Sequence, residues 1–457
     1  MSNMTYQVPQ NISQNKIFIV KKSEIEGRLE PDFYKPSIAS LEKKIRSLST
    51  KRLGSYAQSF AGGATPSKRD SERYYSDSDT GIPFLKVQNL QTTGELLLDE
   101  CIYINEDTHN GLLKRSQVSE GDLLVKITGV GRMAIASVAP KDFVGNTNQH
   151  MVVIKTGNPS ISKYLAHYLN LDIIEQIASR HSTGGTRPAL DYPSLKNIPI
   201  IEGLDLSIIE NAIKYKKIKE TEAQQLLDSI NGYLLKELGI TIPSVEDGLK
   251  NRMFLSSFSK IEGNRLDPTY SLYLGKNALS TEYENTSLRS VAYIVKGNAL
   301  SNSDVEDGDI PVIAGGQTSP YSHNTANYKG NIITVSASGF AGYVWYHDYP
   351  IYATDCSVIY SKDESMYITK YLYEILKLQQ NDIYRLKTGA VQPHVYASDL
   401  QKLYIPVVPI TKQKEIVDYV ANIRKRANKL KEEGKMILDN AKREVEHMIL
   451  GKIIKNE

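Results

Sequence analysis

The sequence predicts an α+β protein made of two tandem copies of one domain, each copy followed by a long helix. Three observations predict it. Several phrases of the first half recur in the same order in the second half. The apolar runs inside each half are short and β-branched, which is typical of strands. Each half then ends in a polar, proline-free run with helical periodicity.

The duplication is visible from the first recognisable phrase. SEIEGRLEPDFY at 23–34 recurs as SKIEGNRLDPTY at 259–270, with one residue inserted. Further pairs follow in order, namely RLGSYAQSFAGG with SLRSVAYIVKGN, LLVKITGVGRMAIA with IITVSASGFAGYVW, YLAHYL with YLYEIL, and TGGTRP with TGAVQP. A unit of about 200 residues that occurs twice is a duplicated domain, because solenoid repeats are only about 20–50 residues long.

Within each copy, strand-like runs such as GDLLVKITGVG alternate with turn residues, and helical pattern is confined to segments near 161–180 and 366–380. This indicates a curved mixed or antiparallel sheet with few helices. We therefore expect a first domain at 1–204, a first helix at 205–240, a second domain at 241–410 and a second helix at 411–457.

The two terminal helices have apolar residues at spacings of three and four, as in the seam of a coiled coil. Gly434 occupies one seam position, where its small size would permit close helix approach. We expect the helices to pair, antiparallel because a whole domain separates them in sequence; a general oligomerisation coiled coil is the alternative. The predicted pairing residues are Ile209, Ile213, Leu227, Ile230, Leu234, Ile416, Val420, Ile423, Leu430 and Ile437.

Charge and cysteine content exclude several classes of protein. Lys and Arg number 55 against 52 Asp and Glu, so the net charge is only +3, unlike that of a histone-like polycation. The two cysteines, Cys101 and Cys356, are too few for a disulfide scaffold or a cysteine zinc site. We expect no metal site. No secretory signal or 18-residue apolar stretch is recognisable, so a cytoplasmic protein is expected.

Catalytic motifs are not found in the sequence. It contains no GxxxxGK[ST] phosphate loop, no HExxH and no PP[YF] methyltransferase loop, and its eight histidines lack ligand spacing. We therefore expect a binding subunit without chemistry of its own. Two alternatives stay open: a nuclease or methyltransferase with fused recognition domains, and a coiled-coil scaffold that does not bind DNA.

The order of the segments resembles that of the specificity (S) subunit of type I restriction–modification systems. The segments that carry the resemblance are RLGSYAQSFAGGATPS, GIPFLK, EGDLLVKITG, STGGTRPAL followed by LKNIPI, and IPVVPITKQKEIVDYV before the last helix. Together they cover almost the whole chain.

The resemblance implies two target-recognition domains held apart by two helices. Each domain would read one half of an asymmetric two-part DNA site. The helices would dock two DNA adenine methyltransferase subunits, to which restriction or translocase subunits can be added for phage defence. S-adenosylmethionine is expected on the methyltransferase, and no cofactor on this chain.

Reading DNA in the major groove requires Arg or Lys for guanine and Asn or Gln for adenine. Polar, turn-rich loops supply such residues in both copies, although each could also be a solvated loop or a tight turn. We expect Lys86 and Gln88 to share one strand face, and Arg187 to be the best single contact. The first-domain candidates are Thr65, Ser67, Lys68, Arg69, Lys86, Gln88, Asn89, Lys126, Arg132, Asn148, Gln149 and Arg187. The second-domain candidates are Gln317, Thr318, Ser319, His323, Asn324, Ser336, Ser338, Tyr343 and Lys387.

The proposed reading domains have little net positive charge. Residues 51–204 carry 16 basic and 16 acidic side chains, and residues 286–410 carry 9 and 11. Because nonspecific DNA affinity grows with the number of phosphates neutralised, the chain alone is expected to bind DNA weakly. Partner subunits would then supply much of the affinity.

Overall fold

A computed structural model of the chain describes residues 13, 15–49, 51–99, 101–241, 255, 281–389 and 392–455. These residues form two compact units, the first made of residues up to 219 and from 432 onward, the second of residues 220–431. The second copy of the opening phrase, 259–270, lies outside the described residues.

Helices of the first unit pack against its sheets, and the two long helices each have residues in both units. The helices are α1 Pro36–Leu48, α2 Ser71–Tyr74, α3 Glu106–Asn110, α4 Pro159–Leu169, α5 Asp172–Arg180, α6 Tyr192–Lys196, α7 Ser207–Glu237, α8 Leu288–Val291, α9 Thr369–Leu378, α10 Gln380–Arg385, α11 Ala397–Leu400 and α12 Ile410–Lys455. Short 3₁₀ turns occur at Lys22–Glu24, Pro31–Tyr34, Leu53–Tyr56, Lys68–Asp70, Val87–Asn89, Lys114–Ser116 and Asn302–Asp304.

The strands are short, as the sequence predicts. Those of the first unit are β1 Lys51–Arg52, β2 Ser59–Gly62, β3 Tyr75–Ser76, β4 Ile82–Leu85, β5 Ile102–Ile104, β6 Gln117–Ser119, β7 Leu123–Lys126, β8 Ala136–Val138, β9 Val144–Thr147, β10 Met151–Lys155 and β11 Pro199–Ile200. Those of the second unit are β12 Asn285–Ser287, β13 Ala292–Lys296, β14 Ile310–Ile313, β15 Ser322–His323, β16 Ile332–Ser336, β17 Val344–His347, β18 Tyr352–Ala353, β19 Cys356–Ser361 and β20 Tyr404–Pro406.

The two units have the same strand topology. An antiparallel four-stranded sheet has the order β2-β10-β7-β8 in the first unit and β13-β19-β16-β17 in the second. A mixed sheet contains one parallel pair in each unit, β4 with β9 and β14 with β18. The first unit extends this mixed sheet to five strands, whereas the second has three. The prediction of a duplicated α+β domain with mixed and antiparallel sheets is thus confirmed.

The central strands of each four-stranded sheet are apolar on both faces, and helices cover one of these faces. In β7 and β10 nearly every side chain is buried, and α4 and α5 cover one face with Leu165, Ile174 and Ile177. In the second unit Leu372, Ile375 and Leu376 of α9 cover the equivalent sheet. The expected helical segments near 161–180 and 366–380 are these helices.

One helix of the first unit was not expected from the sequence. Helix α1 begins with Pro36 at its first position, where the missing N–H of proline costs nothing. Its apolar side chains are few, and only Ile45 is completely buried among them. Ile38, Leu41, Ile45 and Leu48 recur at spacings of three and four, so the apolar periodicity of this segment was sufficient to predict the helix.

Within each unit, parts of α7 and α12 share a core. In the first unit the core includes Ile209 and Ile213 of α7 with Leu438 and Val445 of α12. Of the predicted pairing residues in this unit, Ile437 is only partly buried, because the neighbouring Leu438 takes the interior position.

In the second unit, the predicted pairing residues Ile230, Leu234, Ile416, Val420 and Ile423 are buried in one core. Leu227 packs at its edge, and Leu430 is half-buried. Tyr233 stacks on Tyr419 with ring centroids 3.9 Å apart. No helix among the described residues is both long and apolar enough to cross a bilayer.

Candidate nucleic-acid interface

Four loops of the first unit meet at one end of its four-stranded sheet. They span 63–69 after β2, 127–135 between β7 and β8, 147–150 before β10, and 183–190 after α5; we call them the first loop cluster. Most of the first-domain candidates lie in these loops, although they are scattered over more than 120 positions of the sequence.

Backbone hydrogen bonds hold the first loop cluster together. The N–H of Ile127 donates to the carbonyl of His150 at 2.9 Å, and the N–H of Leu190 donates to the carbonyl of Ile127 at 2.8 Å. The N–H of Gly129 reaches the carbonyl of Pro188 at 3.0 Å. The loop between the strands is therefore fixed between two other loops, as a precise binding surface requires.

A second loop cluster lies at the same end of the four-stranded sheet in the second unit. Three of its loops, 337–343, 354–355 and 387–395, correspond to loops of the first cluster, and the fourth, 315–319, follows β14, the counterpart of β4. Residues 390 and 391 of the 387–395 loop lie outside the described residues. The N–H of Ala337 donates to the carbonyl of Asp355 at 3.2 Å, and that of Val395 donates to the carbonyl of Ala337 at 3.0 Å. These bonds repeat the ones made by Ile127 in the first unit.

A glycine at the same place lets two loops approach in both units. A Cβ at Gly63 would collide with the carbonyl oxygen of Thr147, and a Cβ at Gly297 would collide with that of Thr354. Since these contacts are with backbone, no side-chain movement could relieve them. Glycine is therefore required for these loops to approach each other. The loop after β2 lies against the loop before β10, and the loop after β13 lies against the loop before β19.

Seven first-domain candidates have side chains available to a ligand. Thr65 and Gln149 are hydrogen-bonded to each other through their side chains, which joins two loops at the surface. Ser67 accepts a bond from the N–H of Arg69 and begins a short 3₁₀ turn. The exposed candidates are Thr65, Ser67, Lys68, Arg69, Gln88, Gln149 and Arg187.

Three other candidates are occupied inside the fold. The Lys126 side chain is only 3% exposed, and its ammonium group donates to the carbonyl of Val130 at 2.8 Å. Arg132 pairs with Asp172 and donates to a carbonyl at the junction of α4 and α5. Asn148 is buried and accepts from the N–H of His150. The side chains of Lys126, Arg132 and Asn148 therefore stabilise the loops and do not extend away from them.

The expected strand face at Lys86 and Gln88 is wrong. Strand β4 ends at Leu85, and Val87–Asn89 is a 3₁₀ turn. The cause is Asn89, a buried side chain whose oxygen accepts from the N–H of Lys86 at 2.7 Å while its amide donates to the carbonyl of Leu97. These bonds turn the chain, so Asn89 supports the turn that leaves Gln88 exposed.

In the second unit, one group of candidates lies together. Gln317 hydrogen-bonds the hydroxyl of Tyr384, and the ammonium of Lys387 lies 4.5 Å from the centre of the same ring. Gln317 and Thr318 are exposed, whereas Lys387 is half-buried. Tyr384 is a member of this group that the sequence did not suggest, because it lies within a helix and one tyrosine among 29 gives no signal.

Four second-domain candidates have partners within the fold. Ser319 donates to the carbonyls of Val312 and Tyr321, and Ser336 is buried and bonds to a glycine carbonyl. Ser338 bonds to the carboxylate of Asp355. Half-buried Tyr343 has the ammonium of Lys377 over its ring at 4.3 Å.

His323 and Asn324 lie on and beside β15, in the mixed sheet, and are joined to the loop before β14. Buried His323 accepts from the N–H of Glu306 at 3.1 Å, and exposed Asn324 bonds to the carboxylate of Glu306. They therefore form a separate group from Gln317 and Lys387 in the second unit.

The electrostatics of the first loop cluster favour an anionic ligand. Burial, and then the nearby charge of Arg187, lower the pKa of His150. Burial likewise lowers the pKa of Lys126. With His150 largely neutral at pH 7, exposed Arg187, Lys68 and Arg69 carry the positive charge of the cluster.

An ionic network supports the loop that carries Arg187. Arg180 and His181, at the end of α5, both contact the carboxylate of Glu42, which also binds Arg46. Burial alone would raise the pKa of Glu42, but these hydrogen bonds lower it to about 2. The charged network fixes the end of α5, from which the 183–190 loop departs.

The described residues offer no cluster of three or more His, Cys, Asp or Glu able to hold a metal ion. A cavity of about 570 Å³ does lie in the first unit beside α4 and α7. His167 lines it with neither ring nitrogen hydrogen-bonded, and burial lowers the pKa of His167 to about 4. This cavity shares no residue with the first loop cluster.

Comparison with known protein families identifies the class of the second unit. Residues 280–437 match the family described as type I restriction modification DNA specificity domain. This family is defined by DNA specificity and not by a catalytic activity.

The first unit has the same strand order in its four-stranded sheet and repeats the backbone hydrogen bonds between its loops. For residues 280–437 the family match bears out the resemblance to the specificity (S) subunit of type I restriction–modification systems that the order of the sequence segments indicated.

Three solved structures are similar to this chain. They are an S subunit from M. genitalium (15% identity, TM-score 0.40, covering 87% of this chain and 95% of that one), a chain from a study of type I R-M complex assembly and conformational transition (17%, 0.43, 88% and 96%), and the HsdS subunit from Thermoanaerobacter tengcongensis (15%, 0.34, 88% and 95%). No curated protein sequence matches the chain.

Proposed function

We propose that this S subunit reads a two-part, asymmetric DNA sequence, one half with each loop cluster. The proposal depends on one observation: both units have the same loop backbone but different exposed side chains. The backbone bonds of Ile127 recur at Ala337, whereas the exposed residue at the equivalent position of the neighbouring loop is Arg187 in the first unit and Gln392 in the second. Arg favours guanine and Gln favours adenine, so the half-sites should differ in sequence.

We further propose that α7 and α12 pair as an antiparallel coiled coil that docks two DNA adenine methyltransferase subunits. Contacts within each unit support this. In the first unit a Cβ at Gly434 would lie 3.2 Å from the Cα of Lys216, which indicates close helix approach. In the second unit Lys412 pairs with Glu237 beside the stacked Tyr233 and Tyr419.

In this proposal the chain supplies recognition and the partner supplies chemistry. S-adenosylmethionine would be bound by the methyltransferase, and this chain would bind no cofactor. Restriction or translocase subunits would join the same assembly, in phage defence in the cytoplasm. Neutral reading domains are consistent with such a division, because the partner can provide the phosphate contacts that the chain itself lacks.

The test is to map methylated adenines genome-wide in cells with and without this gene. One two-part motif, with unlike halves separated by unspecified base pairs, should lose methylation in the deletion strain. Restoring the gene with the first domain intact and Gln317→Ala in the second should alter only one half of the motif.

Two outcomes would contradict the proposal. If no two-part motif depends on the gene, the chain does not direct methylation. If the purified chain alone methylates or cleaves DNA when S-adenosylmethionine or a divalent cation is added, the chain is an enzyme and not a specificity subunit.

A further inference from the structure

An exposed apolar side chain stands at the tip of the same loop in both units. The loop between β7 and β8 has Val130 at its tip, 77% exposed, and the loop between β16 and β17 has Phe340, 59% exposed. The positions are equivalent in structure. Lys126 pairs with the first residue of β10, and Ser336 pairs with the first residue of β19. Val130 lies four positions after Lys126, and Phe340 lies four positions after Ser336.

The tip in the first unit is fixed in place. The buried ammonium of Lys126 donates to the carbonyl of Val130 at 2.8 Å. Gly129 and Gly131 on either side have φ values of 119° and 79°, a left-handed conformation that side chains rarely adopt. The backbone therefore presents the side chain of Val130 outward instead of folding it against the sheet.

Phe340, at the loop tip of the second unit, is held by a different set of backbone hydrogen bonds. The N–H of Phe340 donates to the carbonyl of Gly315 at 2.8 Å, and the carbonyl of Phe340 accepts from Tyr343 at 3.1 Å. Gly339, before the tip, has a φ of 63°. Phe340 is thus ordered and exposed although burying a phenyl ring would stabilise the fold.

The neighbours of both tips are the polar loops that supply the proposed reading residues. Gly129 bonds to the loop of Arg187, and Phe340 bonds to the loop of Gln317. A single exposed apolar residue is ordinary on a protein surface. Its recurrence at one position of two copies, in loops whose other exposed residues differ, indicates a shared requirement for an apolar contact.

We propose that Val130 and Phe340 each contact the C5-methyl group of a thymine, one in each half of the DNA site. This inference rests on the proposed function. The thymine methyl is the apolar group that the major groove presents, and apolar side chains recognise it. Such contact removes both the side chain and the methyl from water, so the two tips act as specificity-determining residues for T·A pairs.

The experiment uses the complex with its methyltransferase and a duplex that carries the two-part sequence found by methylation mapping. Each thymine of the site is replaced in turn by deoxyuridine, which lacks only the methyl. We expect one position in each half to lower the affinity by about three- to tenfold, the effect of one buried methyl group. The other thymines should be insensitive.

Variants assign each sensitive thymine to one side chain. Val130→Ala should abolish the deoxyuridine effect in one half only, and Phe340→Ala should abolish it in the other half only. Leu112→Ala and Met366→Ala are matched controls, since these side chains are 56% and 63% exposed but lie outside the loop clusters. Both controls should leave the two effects unchanged.

Several results would overturn the inference. One is a half-site without any T·A pair. Another is a complex that binds its sequence specifically but is insensitive to deoxyuridine, or whose sensitivity persists in the alanine variants. These results would leave the proposed function standing, whereas a complex without any sequence preference would overturn both.

Discussion

At the residue scale, the charged groups of this chain divide into those that build loops and those that are available to a ligand. Lys126 and Arg132 are basic residues in a loop that the sequence marks as a contact, yet both are bound to partners in the fold. Arg187, Lys68 and Arg69 are exposed. The distinction depends on the folded neighbours of each side chain, which are Val130 for Lys126 and Asp172 for Arg132.

Replacement of Arg187 by alanine should weaken specific DNA binding by the complex. If Arg187 reads a guanine, the loss is about 1–3 kcal/mol, with relaxed preference at one base pair. Competition binding with single-base variants of the site measures both effects. Lys141→Ala is the control, because Lys141 is exposed but lies after β8, whereas the 127–135 loop precedes β8. An equal loss for both variants would indicate general charge attraction instead of base reading.

Glu42→Gln should destabilise the first unit by about 3–5 kcal/mol, because a buried carboxylate that pairs with Arg46 and Arg180 and contacts His181 loses its charge. The pKa of Glu42 is lowered from 4.5 to about 2 on folding. Its contribution is therefore fully present above pH 4.5 and is lost as the pH falls toward 2. Urea unfolding at pH 7, 4 and 3 should show a smaller pH dependence in the variant.

The exposed Glu72 provides the control for this experiment. Glu72→Gln should change the unfolding free energy by less than about 0.5 kcal/mol. If Glu42→Gln is equally mild, the network around Glu42 does not hold α1 to the end of α5.

At the element scale, both long helices are stabilised by what they pack against. Gln413, near the start of α12, is completely buried. Its side chain accepts from the N–H of Ile368 and donates to the carbonyls of Met366 and Val408. The glutamine in the segment ITKQKEIVDYV thus attaches the start of α12 to the start of α9.

Gly434→Leu should destabilise the chain, by about 1–3 kcal/mol, since the added side chain meets the backbone of Lys216 in a space that admits no Cβ without movement. Gly232→Ala on α7 is the control, because a Cβ there meets nothing within 4 Å. It should stabilise the helix by up to about 1 kcal/mol. Thermal unfolding of the full chain measures both, and a neutral Gly434→Leu would contradict close helix packing.

At the scale of the whole molecule, one framework is used twice with different surfaces. The sheets, the glycine contacts at Gly63 and Gly297, and the tip loops recur, whereas the exposed polar residues do not. The net charge of +3 is small and is not concentrated in the parts that carry the loop clusters. Such a molecule is suited to local recognition within an assembly.

The chain alone should therefore bind DNA weakly and with a shallow salt dependence. Because the slope of log affinity against log salt grows with the number of phosphates contacted, addition of the methyltransferase should steepen it by several units. Fluorescence anisotropy between 50 and 200 mM salt measures this. A chain that binds as tightly alone as in the complex, with the same slope, would contradict the proposed division of labour.

The sequence by itself determined the duplication, the α+β class, the two long helices and the resemblance to the specificity-domain family. These follow from patterns that are local or that repeat, such as the strand-like runs around ITGVG and SASGF and the seam from Ile416 to Ile423. Local patterns are visible in the sequence alone, because apolar periodicity and turn residues determine secondary structure over a few positions.

Only the tertiary structure decided which side chains are free to meet DNA. Lys126, Asn89 and His323 have the residue types of readers, but burial and hydrogen bonds to neighbouring loop residues occupy them. Val130 and Phe340 have no reader chemistry, yet the fold exposes both at equivalent tips. The physical reason is that the availability of a side chain depends on partners brought together by folding, which residue type and spacing do not record.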